Sequence, residues 1–241
     1  MSCKIFKINK FIIGMLHLHG VGERQIHERA KFEIDALYSN GVDAVLAENY
    51  FGTALDVEWA LDYLNNNYKD KIYGVNILGS LELAFKLANK YNAAFIQVDS
   101  VCGHLTPLDD LKFTKNLKAL RADSQAFLLG GVRFKYQPVK SGRSLTEDLN
   151  LGAERCDAIV VSGSGTGVSA ELDKIIEFRK ILGNNFPLVI GSGVDNANCR
   201  EQLEIADGAI IGSYFKQGGH DGAPIAPERV KNLMSIIKIR A

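Results

Sequence analysis

Two sets of residues in this chain are placed to do chemistry. The first is three glycine- and serine-rich turns, Ser162-Gly163-Ser164-Gly165-Thr166-Gly167, Gly191-Ser192-Gly193-Val194-Asp195 and Gly212-Ser213. Each follows a short apolar run: Ala158-Ile159-Val160-Val161, Leu188-Val189-Ile190 and Ala209-Ile210-Ile211. Glycine lets a backbone approach a ligand closely. Backbone N–H groups at such turns, and at a following helix start, hold anions. Ser162, Gly163, Gly165, Thr166, Gly191, Ser192, Gly193, Gly212 and Ser213 are therefore candidate phosphate ligands. The second set is His17, Glu48, Asn76, Asp99 and Lys135, each closing an earlier apolar run. Carboxylates and imidazole are general acids and bases, an amide orients a hydroxyl, and a lysine offsets negative charge.

Such residues work together only if one scaffold gathers them. Short apolar runs alternate with amphipathic stretches along the whole chain, the sign of repeated strand–helix units. The patterning predicts strands at about 11–16, 42–47, 72–76, 94–98, within 125–135, and at about 157–161, 187–191 and 207–211. It predicts helices at about 25–39, 53–66, 80–91, 107–121, 144–154, 170–182, 195–204 and 227–239. Leu81, Ala84, Phe85, Ala88 and Tyr91 form one apolar stripe on the third helix. Ser80 and Asp195 read as N-caps, and Pro227-Glu228 opens the last helix. Eight such units in 241 residues predict a single (β/α)8 barrel domain over 1–241. In that fold a phosphate site follows the last strands, here strands 6, 7 and 8.

Side chains alternate faces along a strand. The alternation points Ile13, Met15, His17 and His19 inward from strand 1, and Ala44, Leu46 and Glu48 from strand 2. Strand 3 contributes Gly74 and Asn76, and strand 4 contributes Phe95, Gln97 and Asp99. Strand 5 contributes Gly131, Arg133 and Lys135, and strand 6 contributes Val160 and Ser162. Barrel interiors are normally apolar, so a polar ring at the C-terminal mouth reads as a site. A buried structural network, with Glu48 paired to Lys135, is the competing reading.

Three further chemistries are open. His17 and His19, two apart on the first strand, resemble the start of a metal-dependent hydrolase site, but no histidine closes strand 5 or 6. Glu48 and Asp99 could hold Mg²⁺ against a substrate phosphate, although no metal ligand set is assigned and no cofactor is called. Lys135 could form a Schiff base, with Arg133 depressing its pKa, or serve as a fixed cation for a second anionic group. The glycine-bearing stretch 214–226 reads as a lid, and 136–143 as a second cover carrying Lys140 and Arg143.

Bulk properties narrow the partners. Lys+Arg and Asp+Glu both number 28, so no net field draws in nucleic acid or an anionic membrane. Cys3, Cys102, Cys156 and Cys199 are scattered, without a CxxC pair, which argues against a zinc site or disulfide framework. Cys102 reads as a surface thiol rather than a nucleophile. The first ten residues lack a signal-peptide core, and no apolar run approaches a membrane span. The expectation is a cytoplasmic protein whose partner is a small phosphorylated ligand, with homo-oligomerisation open.

The motifs resemble the BtpA/SgcQ family. The segments that carry the resemblance are Gly14-Met15-Leu16-His17-Leu18, Gly41–Tyr50, Gly74-Val75-Asn76-Ile77-Leu78, Ala94–Val98, the three Gly/Ser turns and Ala206–Ser213. The resemblance implies a TIM barrel of the ribulose-phosphate-binding kind. It also implies an association with photosystem I biogenesis and with sugar catabolism. The leading expectation is an enzyme for a phosphorylated sugar or nucleotide-like ribosyl compound, by isomerase, lyase or ribosyl-transfer chemistry. A non-enzymatic assembly factor is the alternative, and the His17/His19 hydrolase a third.

Overall fold

The computed structural model describes residues 5–6 and 10–238. Cys3, most of the N-terminal segment and the last expected residue of the final helix, 239, lie outside them. Eight parallel strands close into a barrel in sequence order, with first paired to last. They are β1 (Phe11–Leu16), β2 (Ala44–Glu48), β3 (Ile72–Asn76), β4 (Phe95–Cys102), β5 (Phe127–Val132), β6 (Ala158–Val161), β7 (Leu188–Ile190) and β8 (Gly208–Ile211). The helices that follow them are α1 (Gly22–Ser39), α2 (Ala54–Asn67), α3 (Leu81–Lys90), α4 (Pro107–Ala122), α5 (Leu145–Arg155), α6 (Leu172–Leu182), α7 (Cys199–Ile205) and α8 (Pro227–Lys238). This is the TIM barrel expected from the sequence.

Local chemistry sets the helix starts. Thr53 and Ser144 each form a reciprocal capping box, with Asp56 and Glu147. Ser80 caps α3 as expected, and Thr106 caps α4 just before Pro107. Such caps contribute about 0.5–2 kcal/mol each. Asp195 instead stabilises a turn, accepting from the N–H groups of Ala197 and Asn198, and α7 begins only at Cys199.

The barrel axis is filled by Phe11, Ile13, Met15, Ala44, Leu46, Phe95, Leu129, Ala158, Val160, Val189 and Ile210. This is the inward set that alternation predicts for β1, β2, β4 and β6. Phe95 is fully buried, so truncating it to alanine should cost about 3–5 kcal/mol. At the opposite end Asp43, Asp157 and Asp207 accept from Ile12, Leu128 and Leu188 N–H, each tying its strand to a neighbour.

Two strands depart from the simple pattern. β4 runs four residues beyond the expected end and bulges between Val98 and Cys102. The bulge needs Gly131: a Cβ there would collide with the backbone carbonyl of Asp99. β5 ends at Val132, and Arg133 takes a left-handed φ of 48°. That turn reverses the alternation. Phe134, not Arg133, enters the barrel interior. Arg133 pairs with Asp148 of α5 at 2.9 Å, inside a buried cluster where Asp110 and Asp148 also meet Arg143 and Arg155. Cys102 lies in this layer, fully buried, with burial pushing its thiol pKa up. It is therefore not a surface thiol.

Candidate functional site

The C-terminal mouth of the barrel opens on a cavity of about 460 Å³. It is lined by His17, Glu48, Gln97, Asp99 and Lys135 on one side. Thr166, Gly191, Ser192, Gly193, Gly212 and Ser213 line the other. The polar ring and the glycine turns thus share one space.

The acidic side is a connected unit. Asn76 Nδ2 donates to Glu48 Oε1 and to Asp99 Oδ1, both at 3.1 Å. Gln97 Nε2 adds a bond to Asp99 Oδ1 at 3.2 Å. Asn76 does not line the cavity; it sits behind the two carboxylates and fixes their spacing. Among the described residues, no group of three or more His, Cys, Asp or Glu is placed to hold a metal.

Burial, with the nearby charge of Asp99, pushes the Glu48 carboxyl up to about 8. It is therefore mostly protonated at neutral pH, as an acid catalyst needs to be. His17 Nε2 lies 3.9 Å from Glu48 Oε2. Burial, reinforced by Lys216, holds the imidazole well below its usual pKa, so it is neutral. Its ring stacks on Tyr50 with centroids 4.9 Å apart. His19 leaves the axis because Leu18 takes a φ of 55°. Its Nδ1 faces the Arg29 guanidinium at 3.2 Å, so the two histidines do not converge.

The turn side is also braced. Ser192 Oγ accepts from Gly163 N–H and donates to Val168 O, both at 2.9 Å, joining the β6 and β7 turns. Ser162 Oγ accepts from Lys135 N–H at 2.9 Å. Ser162, Gly163 and Gly165 do not line the cavity, and Ser162 and Gly163 brace it from behind. Gly193 has a φ of 69°, and a Cβ there would strike the backbone of Val168 and Ser169. Among the described residues, the N–H groups of Gly193 and Val194 donate to no protein acceptor. Thr166 N–H donates to Tyr136 Oη at 2.7 Å, which holds the β6 turn over the mouth.

Three participants were not in the sequence-derived set. Arg229, in the first turn of α8, lines the cavity with its guanidinium 4.4 Å over the Tyr214 ring. Acid is the dipole-preferred charge at a helix start, so a lining arginine there is a signal for an anion. Asp221 Oδ1 meets the Ser213 hydroxyl, placing a carboxylate at the β8 turn. Lys216 is fully buried, donates to Asp221 O at 2.8 Å, and is pulled down to about 8 by burial. The stretch 214–226 expected as a lid is fastened by these contacts. Arg29 also donates to Gly222 O and Ala223 O, and Ile225 N–H donates to Glu33.

The sequence model of the BtpA family matches residues 8–239. The chain belongs to the BtpA family. Within it, the photosystem I biogenesis protein BtpA of Synechocystis is 27% identical, covering 93% of this chain and 87% of that one. An uncharacterized protein of Pyrococcus horikoshii is 26% identical, covering 95% and 96%. Among solved structures, thiamine phosphate pyrophosphorylase from Pyrococcus furiosus superposes with a TM-score of 0.62 at 15% identity, over 95% and 96% of the chains. Phosphoribosyl anthranilate isomerase from Thermus thermophilus gives 0.62 at 11%, over 96% and 100%. These likenesses show the fold of this BtpA-family barrel. No helix among the described residues is long and apolar enough to cross a membrane.

Proposed function

We propose that this BtpA-family barrel is an enzyme acting by acid–base chemistry on a phosphorylated sugar or ribosyl compound. The observation that carries the reading is convergence: the Glu48–Asn76–Asp99 unit and the Gly193 and Gly212-Ser213 turns line or back one cavity. The phosphate rests on the N–H groups of Gly193 and Val194 and on the Gly212-Ser213 turn, with Arg229 alongside. One helix end supplies only about 0.3–1 kcal/mol, so several converging donors are needed to anchor it. The anchored phosphate positions the reacting carbon over the strand ends. Glu48 delivers a proton there, Asp99 accepts one, and neutral His17 exchanges with Glu48 when their 3.9 Å separation tightens around substrate. Lys135 supplies positive charge to the same centre. The phosphoribosyl compound in the name of one fold neighbour is of this chemical class, and the thiamine phosphate in the name of the other shares its phosphate ester.

A thermal-shift panel of sugar phosphates and nucleotides tests the reading. A ligand at a hundred times its Kd should stabilise the protein by about 2.7 kcal/mol. Failure of every phosphorylated compound to raise the Tm would overturn it.

The Synechocystis relative's name favours a second reading, an assembly factor. Tyr136, Val139, Leu108 and Leu111 are exposed apolar groups in the segments that follow β4 and β5. Glu48→Gln and Asp99→Asn separate the readings: an assembly factor keeps its partner binding in both, whereas the enzyme loses turnover.

A further inference from the structure

Several arginines of this protein are committed to ion pairs. Arg29, Arg121, Arg133, Arg143, Arg155 and Arg179 all pair with carboxylates. Two cations that line the cavity do not. Among the described residues, the Lys135 ammonium makes no ion pair and no hydrogen bond; it lies over the Phe134 ring, 5.5 Å from the centroid. The Arg229 guanidinium has a carbonyl and an aromatic ring, Tyr214 O and the Tyr214 ring, but no carboxylate. Lys135 follows β5 and Arg229 stands beside the β8 turn, three strands further round the wall. They therefore face the cavity from well-separated sides.

On β4, the strand next to β5, lies an unsatisfied acceptor. Gln97 is buried, with its amide nitrogen on Asp99, and its Oε1 has no donor. A buried acceptor left unpaired costs about 1–3 kcal/mol, so a ligand hydroxyl is the natural partner. Unpaired cations on two sides of one cavity describe the ligand's charge pattern.

Resting on the reading above, we infer that the substrate is a hydroxylated compound with two anionic groups. Its phosphate sits at the β7–β8 turns beside Arg229, and a carboxylate or second phosphate sits on Lys135. A hydroxyl near the Lys135 end donates to Gln97 Oε1 once ligand binding uncovers it. Lys135 is then the residue that selects doubly anionic over singly anionic ligands.

Matched probes test this. Glucitol 6-phosphate and 6-phosphogluconate differ only by a carboxylate at the far end, as do glycerol 3-phosphate and 3-phosphoglycerate. Calorimetric Kd values should show at least about a tenfold preference for the carboxylate in one pair. Lys135→Gln should abolish that preference while leaving the singly anionic probe within about threefold. The ligand-free Tm of the variant should not change, since the ammonium makes no hydrogen bond or ion pair. Equal affinities within both pairs, or a preference that survives Lys135→Gln, would overturn the inference while leaving the phosphate reading intact. Failure of all four probes to bind would overturn both.

Discussion

Asn76 donates one amide hydrogen bond to Glu48 Oε1 across 3.1 Å, joining the ends of β3 and β2. The same nitrogen reaches Asp99 on β4, so one amide sets the separation of two carboxylates. Asn76→Ala should leave both without their shared donor. The expected cost is about 1–3 kcal/mol of stability by chemical denaturation, and turnover should fall with phosphate binding retained.

Glu48 makes stability depend on pH. Its pKa is raised from 4.5 to about 8 on folding, so the folded state holds a proton that the unfolded state has lost between those values. Stability should therefore fall as pH rises from about 4.5 through 8, by linkage. Glu48→Gln should flatten that slope in denaturant titrations at several pH values. A slope unchanged by the substitution would contradict the assignment.

The β7 turn is built around Gly193. Its φ of 69° and the lack of room for a Cβ mean that Gly193→Ala must displace the Val168-Ser169 backbone. Such strain costs about 1–3 kcal/mol. The Tm should drop, and stabilisation by phosphate compounds should vanish.

Asp221 places a carboxylate against the Ser213 hydroxyl, where an incoming phosphate would be repelled. Asp221→Asn should tighten binding of inorganic phosphate by several-fold in calorimetry, with the effect shrinking at high salt.

Barrel order and the inward faces of β1 to β4 were legible because period-2 alternation survives wherever a strand stays regular. It places Glu48, Asn76 and Asp99 on one wall from the residue pattern alone. It failed at Arg133 and His19, where a left-handed residue, Arg133 itself and Leu18 before His19, breaks the alternation. Neither is a glycine, so nothing local announces the turn. Ser162 and Gly163 have the composition of an anion cradle but brace neighbouring turns, Ser162 by accepting from Lys135 N–H and Gly163 by donating to Ser192 Oγ, 29 residues away. Lys216 falls in the stretch read as a lid, and its burial beside Glu33 of α1 arises only once the barrel closes. Arg229 carried a usable signal, a basic side chain in the first turn of the last helix.

The central claim is an anion seat at the β7–β8 turns facing the Glu48–Asn76–Asp99 unit. Crystals grown in phosphate test it most directly. The account predicts phosphate density within hydrogen-bond reach of the N–H groups of Gly193, Val194 and Ser213. Phosphate bound only elsewhere, with that seat empty at saturating concentration, would contradict it.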